Sequence, residues 1–208
     1  MPNPLDDNAL VQIVDAALAD SARRSGDLLV CKPGCFQCCV GVFPISQLDV
    51  MRLRDGLQAL ETSDGARAER VRGRVAESLA RIGPDFPGDA ATGLLPEFDE
   101  RCDAAEAFEA AFEDFANDEV CPVLDPATGT CDLYAARPVP CRTFGPPVMS
   151  AEGGLGVCEL CFHGATAEEI AACEMHPDPD GLEDRLLDEL REKTGAQGQT
   201  IVPYALRG

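Results

Sequence analysis

Apolar residues recur at helical spacing over much of the chain. Between residues 6 and 24, Leu10, Ile13, Val14, Ala17 and Leu18 fall on one face, which predicts a helix that Gly26 ends. A second helix is expected from Ser46, where Asp49 three residues on makes a variant of the capping box and Val50, Leu53, Leu57 and Leu60 form the stripe. "TSDG" at 62–65 breaks it. A third helix follows, with Ala68, Val71, Val75, Leu79 and Ile82 on one side. The two should form an antiparallel helical hairpin. Arg67, Arg70, Arg74 and Arg81, interleaved with Glu69 and Glu77, read as the solvated face of the third helix. Pro and Gly make 83–98 a loop, and 99–117 is helical again. There Ala104, Phe108, Ala111 and Phe115, with Phe112 beside them, read as core.

From 118 to 164 the pattern changes. "CPVLDPATGTCDLY" predicts two short strands around a turn at Asp125–Gly129, and "MSAEGGLGVCELC" a second short hairpin. "RPVPCRTFGPP" is expected not to be helical. Helices resume at Thr166, with Glu169 completing a capping box, and over 181–194. The fold class is therefore α+β and mostly α-helical: a helical scaffold around an irregular Cys-rich region with short β-hairpins. One domain is expected over 1–208, with a Cys-cluster region at 28–162 carrying inserted helices and a C-terminal helical segment at 163–208.

Composition sharpens this picture. Leu, Ile, Val and Phe make up only about 24% of the chain, close to the level at which chains stay disordered. Eleven cysteines accompany this lean core, so something besides burial holds part of the fold. The net charge of −20 repels phosphate backbones and anionic lipid, which argues against nucleic acid and membrane as partners. The N-terminal stretch has no basic region followed by an apolar one, and no segment reaches the length of a membrane span. A cytoplasmic location is expected, where thiols stay reduced.

Nine of the cysteines stand in two irregular stretches: Cys31, Cys35, Cys38 and Cys39, then Cys121, Cys131, Cys141, Cys158 and Cys161. A disulfide framework fits poorly with an odd count in a reducing compartment. A redox pair would need C-x-x-C at the start of a helix in a βαβ context, and none is present. Clustered thiolates repel one another unless a cation neutralises them, so a metal is the remaining partner. The C-x2-C pairs Cys35/Cys38 and Cys158/Cys161 have the loop spacing that lets two sulfurs reach one ion. The adjacent Cys38 and Cys39, if extended, would point to opposite sides and tend to serve different ions, or two metals in one cluster. Cys102 and Cys173 fall in predicted helices and suit small buried apolar residues; His176 stands three residues after Cys173.

"CKPGCFQCC" together with "CPVLDPATGTCDLYAARPVPCRTF" resembles the signature of the YkgJ-like cysteine-cluster family, the CxxCxxCC zinc- or iron-chelating domain proteins. The spacer between Cys31 and Cys35 is one residue longer than in that signature. The resemblance implies eight metal-binding cysteines. Seven fall on Cys31, Cys35, Cys38, Cys39, Cys121, Cys131 and Cys141, and either Cys158 or Cys161 supplies the eighth. Arg137 and Arg142 match fixed arginines of the pattern and are expected to offset thiolate charge around the metal. Some longer relatives resemble flagellin lysine methylases, in which an iron-sulfur centre is implied. No Ser-His-Asp, HExxH or paired-carboxylate arrangement points to hydrolysis, and "EGGLG" lacks the strand and helix of a nucleotide loop. The expected cofactor is about two zinc ions or an iron-sulfur cluster. The expected function is metal binding in a structural, sensory or metal-delivery role, with an iron-sulfur enzyme or accessory protein as the alternative.

Overall fold

The computed structural model describes residues 7–32, 34–98, 102–150 and 153–208. Three helices form the first half: α1 (Asn8–Ser25), α2 (Gln47–Ser63) and α3 (Gly65–Ile82). α4 (Asp103–Glu113), α5 (Val139–Thr143), α6 (Ala167–Ala172), α7 (Leu182–Thr194) and α8 (Val202–Ala205) follow. The strands β1 (Leu124–Asp125) and β2 (Thr130–Cys131) make one antiparallel pair, and β3 (Val148–Met149) and β4 (Leu155–Gly156) another. The fold is α+β and mostly helical, as the periodicity predicts. Among the described residues no helix is long and apolar enough to cross a membrane.

α2 begins on a complete capping box. Ser46 Oγ accepts from Asp49 N, and Asp49 Oδ2 accepts from Ser46 N at 3.3 Å. Asp64 ends α2 and caps α3, its side chain accepting from Arg67 N at 3.0 Å, so the two helices meet almost without a connecting loop. Their facing stripes, with Val50, Leu53, Leu57, Ala68, Val71 and Val75, form the main core, completed by α8 and by Val123, Leu133 and Ala136 from the Cys-rich segment. A second cluster joins Leu10 and Val14 of α1 to Leu48, Val139, Met175 and Leu190. A third cluster packs Phe86 against Tyr204 and Phe115; the inward line of α4 runs through Ala105, Phe108 and Phe112 and continues to Phe115 just beyond it, whereas Ala104 and Ala111 are exposed. The helix expected over 99–117 is shorter at both ends, and residues 99–101 lie outside the described residues.

Two expectations need correction. The arginine face of α3 is not simply solvated. Arg67 Nε and Arg74 Nη2 each reach the Asp132 carboxylate at 2.5 Å, Arg74 Nε donates to Pro122 O, and Arg81 forks onto Glu119. The Asp132 side chain is almost fully buried, so these arginines clamp the Cys-rich segment to the helical hairpin. The segment expected to resist helix carries α5. Its Pro140 sits in the first turn, where the missing N–H has no intrahelical acceptor in any case.

α5 is held from two sides. Asp49 Oδ1 accepts from Val139 N at 2.9 Å and from Arg52 at 2.6 Å, while Arg52 also pairs with Asp7. On its other side the buried Arg142 donates to both Asp15 oxygens at 2.7 Å and to the carbonyls of Arg137 and Ala135. A helix of only five residues gains little from its own hydrogen bonds, so these buried charges fix its position. It carries Cys141.

Candidate metal centre

The two Cys-rich stretches, some 80 residues apart in sequence, meet in space. Cys121 N donates to Cys39 O at 2.8 Å and Gly41 N to Glu119 O at 2.8 Å, forming a bridge between Val40 and Val120. Cys131 is paired across the β1–β2 hairpin with Leu124. Cys121 and Cys131 both rest on the main core. Cys39 interacts first with the Cys38 thiol and then with Cys121 and Cys131, and Cys141 with Cys121, Cys131 and Cys38. Cys38, Cys39, Cys121, Cys131 and Cys141 thus form an inner set.

The remaining four form an outer set. The Cys31 thiol hydrogen-bonds that of Cys161, with Cys35 and Cys158 as its next charged neighbours. Phe162 N donates to Leu28 O at 2.8 Å, which draws Cys161 toward the first stretch, while Cys158 N donates to Gly145 O at 3.4 Å. Gly145 has a φ of +113°, and a Cβ there would lie 2.9 Å from the Cys31 sulfur. Only glycine leaves that sulfur its room.

This division corrects the expected separation of Cys38 from Cys39. Residues 37–39 form a 3₁₀ turn instead of extended chain, so the adjacent thiols stay in one set and hydrogen-bond each other. The boundary between sets falls between Cys35 and Cys38. Cys158 and Cys161 both join the outer set.

Proton affinities follow the same partition. Burial, then the Cys161 charge, pushes the Cys31 thiol up to about 12. Burial, then the neighbouring Cys131, pushes Cys121 up to about 12, and burial raises Cys131, Cys141 and Cys158. Cys38 goes the other way, drawn down to about 6 by the hydrogen bond from the Cys39 thiol, against burial and with help from Arg137. Arg137 lies 4.0 Å over the Tyr134 ring, which fixes the guanidinium beside Cys38 and Cys131. Arg142 does not take the part expected of it; its donors go to Asp15 and two carbonyls, and it acts on the site by holding α5.

The donor chemistry fits a thiophilic metal, since both sets consist of free thiols. Among the described residues no three Cys, His, Asp or Glu side chains already stand close enough together to hold an ion, so each set would tighten on binding. His176 is exposed beside Glu174, and His163 is exposed. Cys173 is buried, as expected, but Cys102 is exposed at the start of α4 instead of buried in a helix. The join at Val40 and Val120 is marked in the sequence only by the apolar character of these neighbours of Cys39 and Cys121.

Comparison with known families settles the relationship. The sequence model of the CxxCxxCC family, described as "Putative zinc- or iron-chelating domain", matches residues 30–161. The chain belongs to the CxxCxxCC family. All nine cysteines of the two sets fall within the matched span of this zinc- or iron-chelating domain. No curated protein and no solved structure matches this CxxCxxCC chain.

Proposed function

We propose that the protein binds two metal ions, zinc or iron, one in each cysteine set, and that it keeps or passes on metal in place of transforming an organic substrate. The observation that supports this reading is the partition of nine free thiols into sets of four and five, each with thiols enough for a four-thiolate position once drawn together. A reducing compartment such as the cytoplasm keeps the thiols available as ligands. Cys31, Cys35, Cys158 and Cys161 are the proposed ligands of one ion; the other takes four of Cys38, Cys39, Cys121, Cys131 and Cys141. One domain spanning the chain fits the shared cores, because α1, α2, α5 and α7 meet in one cluster.

The second reading is an iron-sulfur protein, enzyme or accessory. It is favoured by the all-thiolate character of both sets, which suits Cys₄ cluster ligation as well as zinc. Anaerobic purification separates the two. The zinc reading predicts a colourless protein containing zinc; a brown protein with broad visible absorption, iron and acid-labile sulfide would replace it with the second.

A further inference from the structure

The two sets differ in how they are supported. The inner thiols stand on the main α2/α3 core, whose buried residues include Val123, Leu133 and Ala136 from their own segment. They are tied down by the Cys121–Cys39 backbone bond, by the buried Asp132 clamp and, through α5, by Asp49. Of the outer thiols, Cys161 and Cys158 lie on a satellite cluster whose buried members among the described residues are Cys161, Phe162 and Cys173. Cys31 is exposed, Cys35 and Cys158 are half-buried, and only Cys161 is buried. The outer segments hold the local backbone bonds Cys35 N to Lys32 O and Cys161 N to Cys158 O, and few ties reach further: Phe162 N to Leu28 O, the long Cys158 N to Gly145 O, and the exposed Gln37 Nε2 to Glu159 Oε1.

Segments with few buried contacts open at lower free energy than the core. A metal held by such a segment is also reachable by an incoming ligand, which can bind it before all four thiolates have left. We infer that the outer set is an exchange site, loading and releasing its ion while the fold stays intact, and that the inner set keeps its ion as part of the structure. The inference rests on the two-ion reading above. In the release step the ion passes to the incoming ligand without change of oxidation state; four metal–sulfur bonds break, and the departing thiolates take up protons from the buffer. The recipient is accordingly another thiolate- or imidazole-bearing acceptor that can approach the exposed Cys31 side.

Stopped-flow transfer of Zn²⁺ from zinc-reconstituted full-length protein to excess 4-(2-pyridylazo)resorcinol tests this. The expected record has two phases of equal amplitude, one ion each, with the faster phase about tenfold or more ahead of the slower. Cys158→Ser should abolish the fast phase and leave the slow one, with far-ultraviolet circular dichroism unchanged. Two ions leaving in a single phase, or loss of the slow phase in Cys158→Ser, would overturn the exchange assignment while leaving the two-ion reading intact. A reconstituted protein with one zinc per chain would overturn that reading, and the inference with it. The wild-type record decides between one phase and two even if the variant does not fold.

Discussion

Removing the metal with a strong chelator under reducing conditions should lower the melting temperature by about 20 °C or more. Structural thiolate–metal sites contribute on the order of 10 kcal/mol, and in a protein of this size each kcal/mol moves the midpoint by roughly 2–4 °C. The loss should be uneven. α1, α2, α3 and α7 have apolar cores of their own, so much helical circular dichroism should survive below the new midpoint. The β3–β4 pair, of two-residue strands and touching the helical cores only through the half-buried Val148, should lose hydrogen-exchange protection before β1–β2, whose Cys131 packs on the main core. Excess zinc should restore both. An unchanged midpoint after complete metal removal would show that the thiols do not hold the Cys-rich region together.

The second large effect is expected at Asp49. Its carboxylate is buried and accepts from Ser46 N, Arg52 and Val139 N. Asp49→Ala removes the reciprocal half of the α2 capping box, leaves the Val139 amide without its acceptor and leaves Arg52 facing Asp7 alone. Together these should cost about 3–5 kcal/mol, a fall of roughly 10 °C in the melting temperature. Some of the loss is returned because Glu183, whose carboxyl is pushed up by burial and then by the Asp49 charge, is relieved of that neighbour. Asp49→Asn, which keeps the shape and an acceptor, should lose less. Because Asp49 anchors the helix carrying Cys141, the Ala variant should also weaken metal binding by the inner set without touching a thiol. Thermal melts with metal analysis on the same samples check both halves; an Asp49→Ala protein as stable as the parent would remove α5 anchoring from the account.

What the sequence makes legible is what is local. The stripe of α3, the Ser46–Asp49 and Thr166–Glu169 capping boxes and the turn at Asp125–Gly129 each depend on residues within a few positions, and each stands as the spacing predicts. Arg67, Arg74 and Arg81 of α3 read as solvated because their partners, Asp132 and Glu119, lie 38 or more residues away, and no spacing rule reaches that far. α5 escaped because Pro140 reads as a breaker unless the helix is known to start beside it. The cysteines were recognised as one metal-binding constellation, but their division was placed between Cys38 and Cys39 on the assumption of extended chain. A single 3₁₀ turn moves it to the other side of Cys38. Nothing in the spacing distinguishes those two backbones.

The central claim is that nine cysteines make two four-thiolate positions. It is tested most directly by counting metal and free thiols on the same folded sample, prepared without oxygen. Elemental analysis should give two ions per chain, and alkylation of the folded protein should label Cys102 and no more than one further cysteine of the inner set rapidly. One ion per chain, with the outer Cys31, Cys35 and Cys158 freely alkylated in the folded protein, would contradict it.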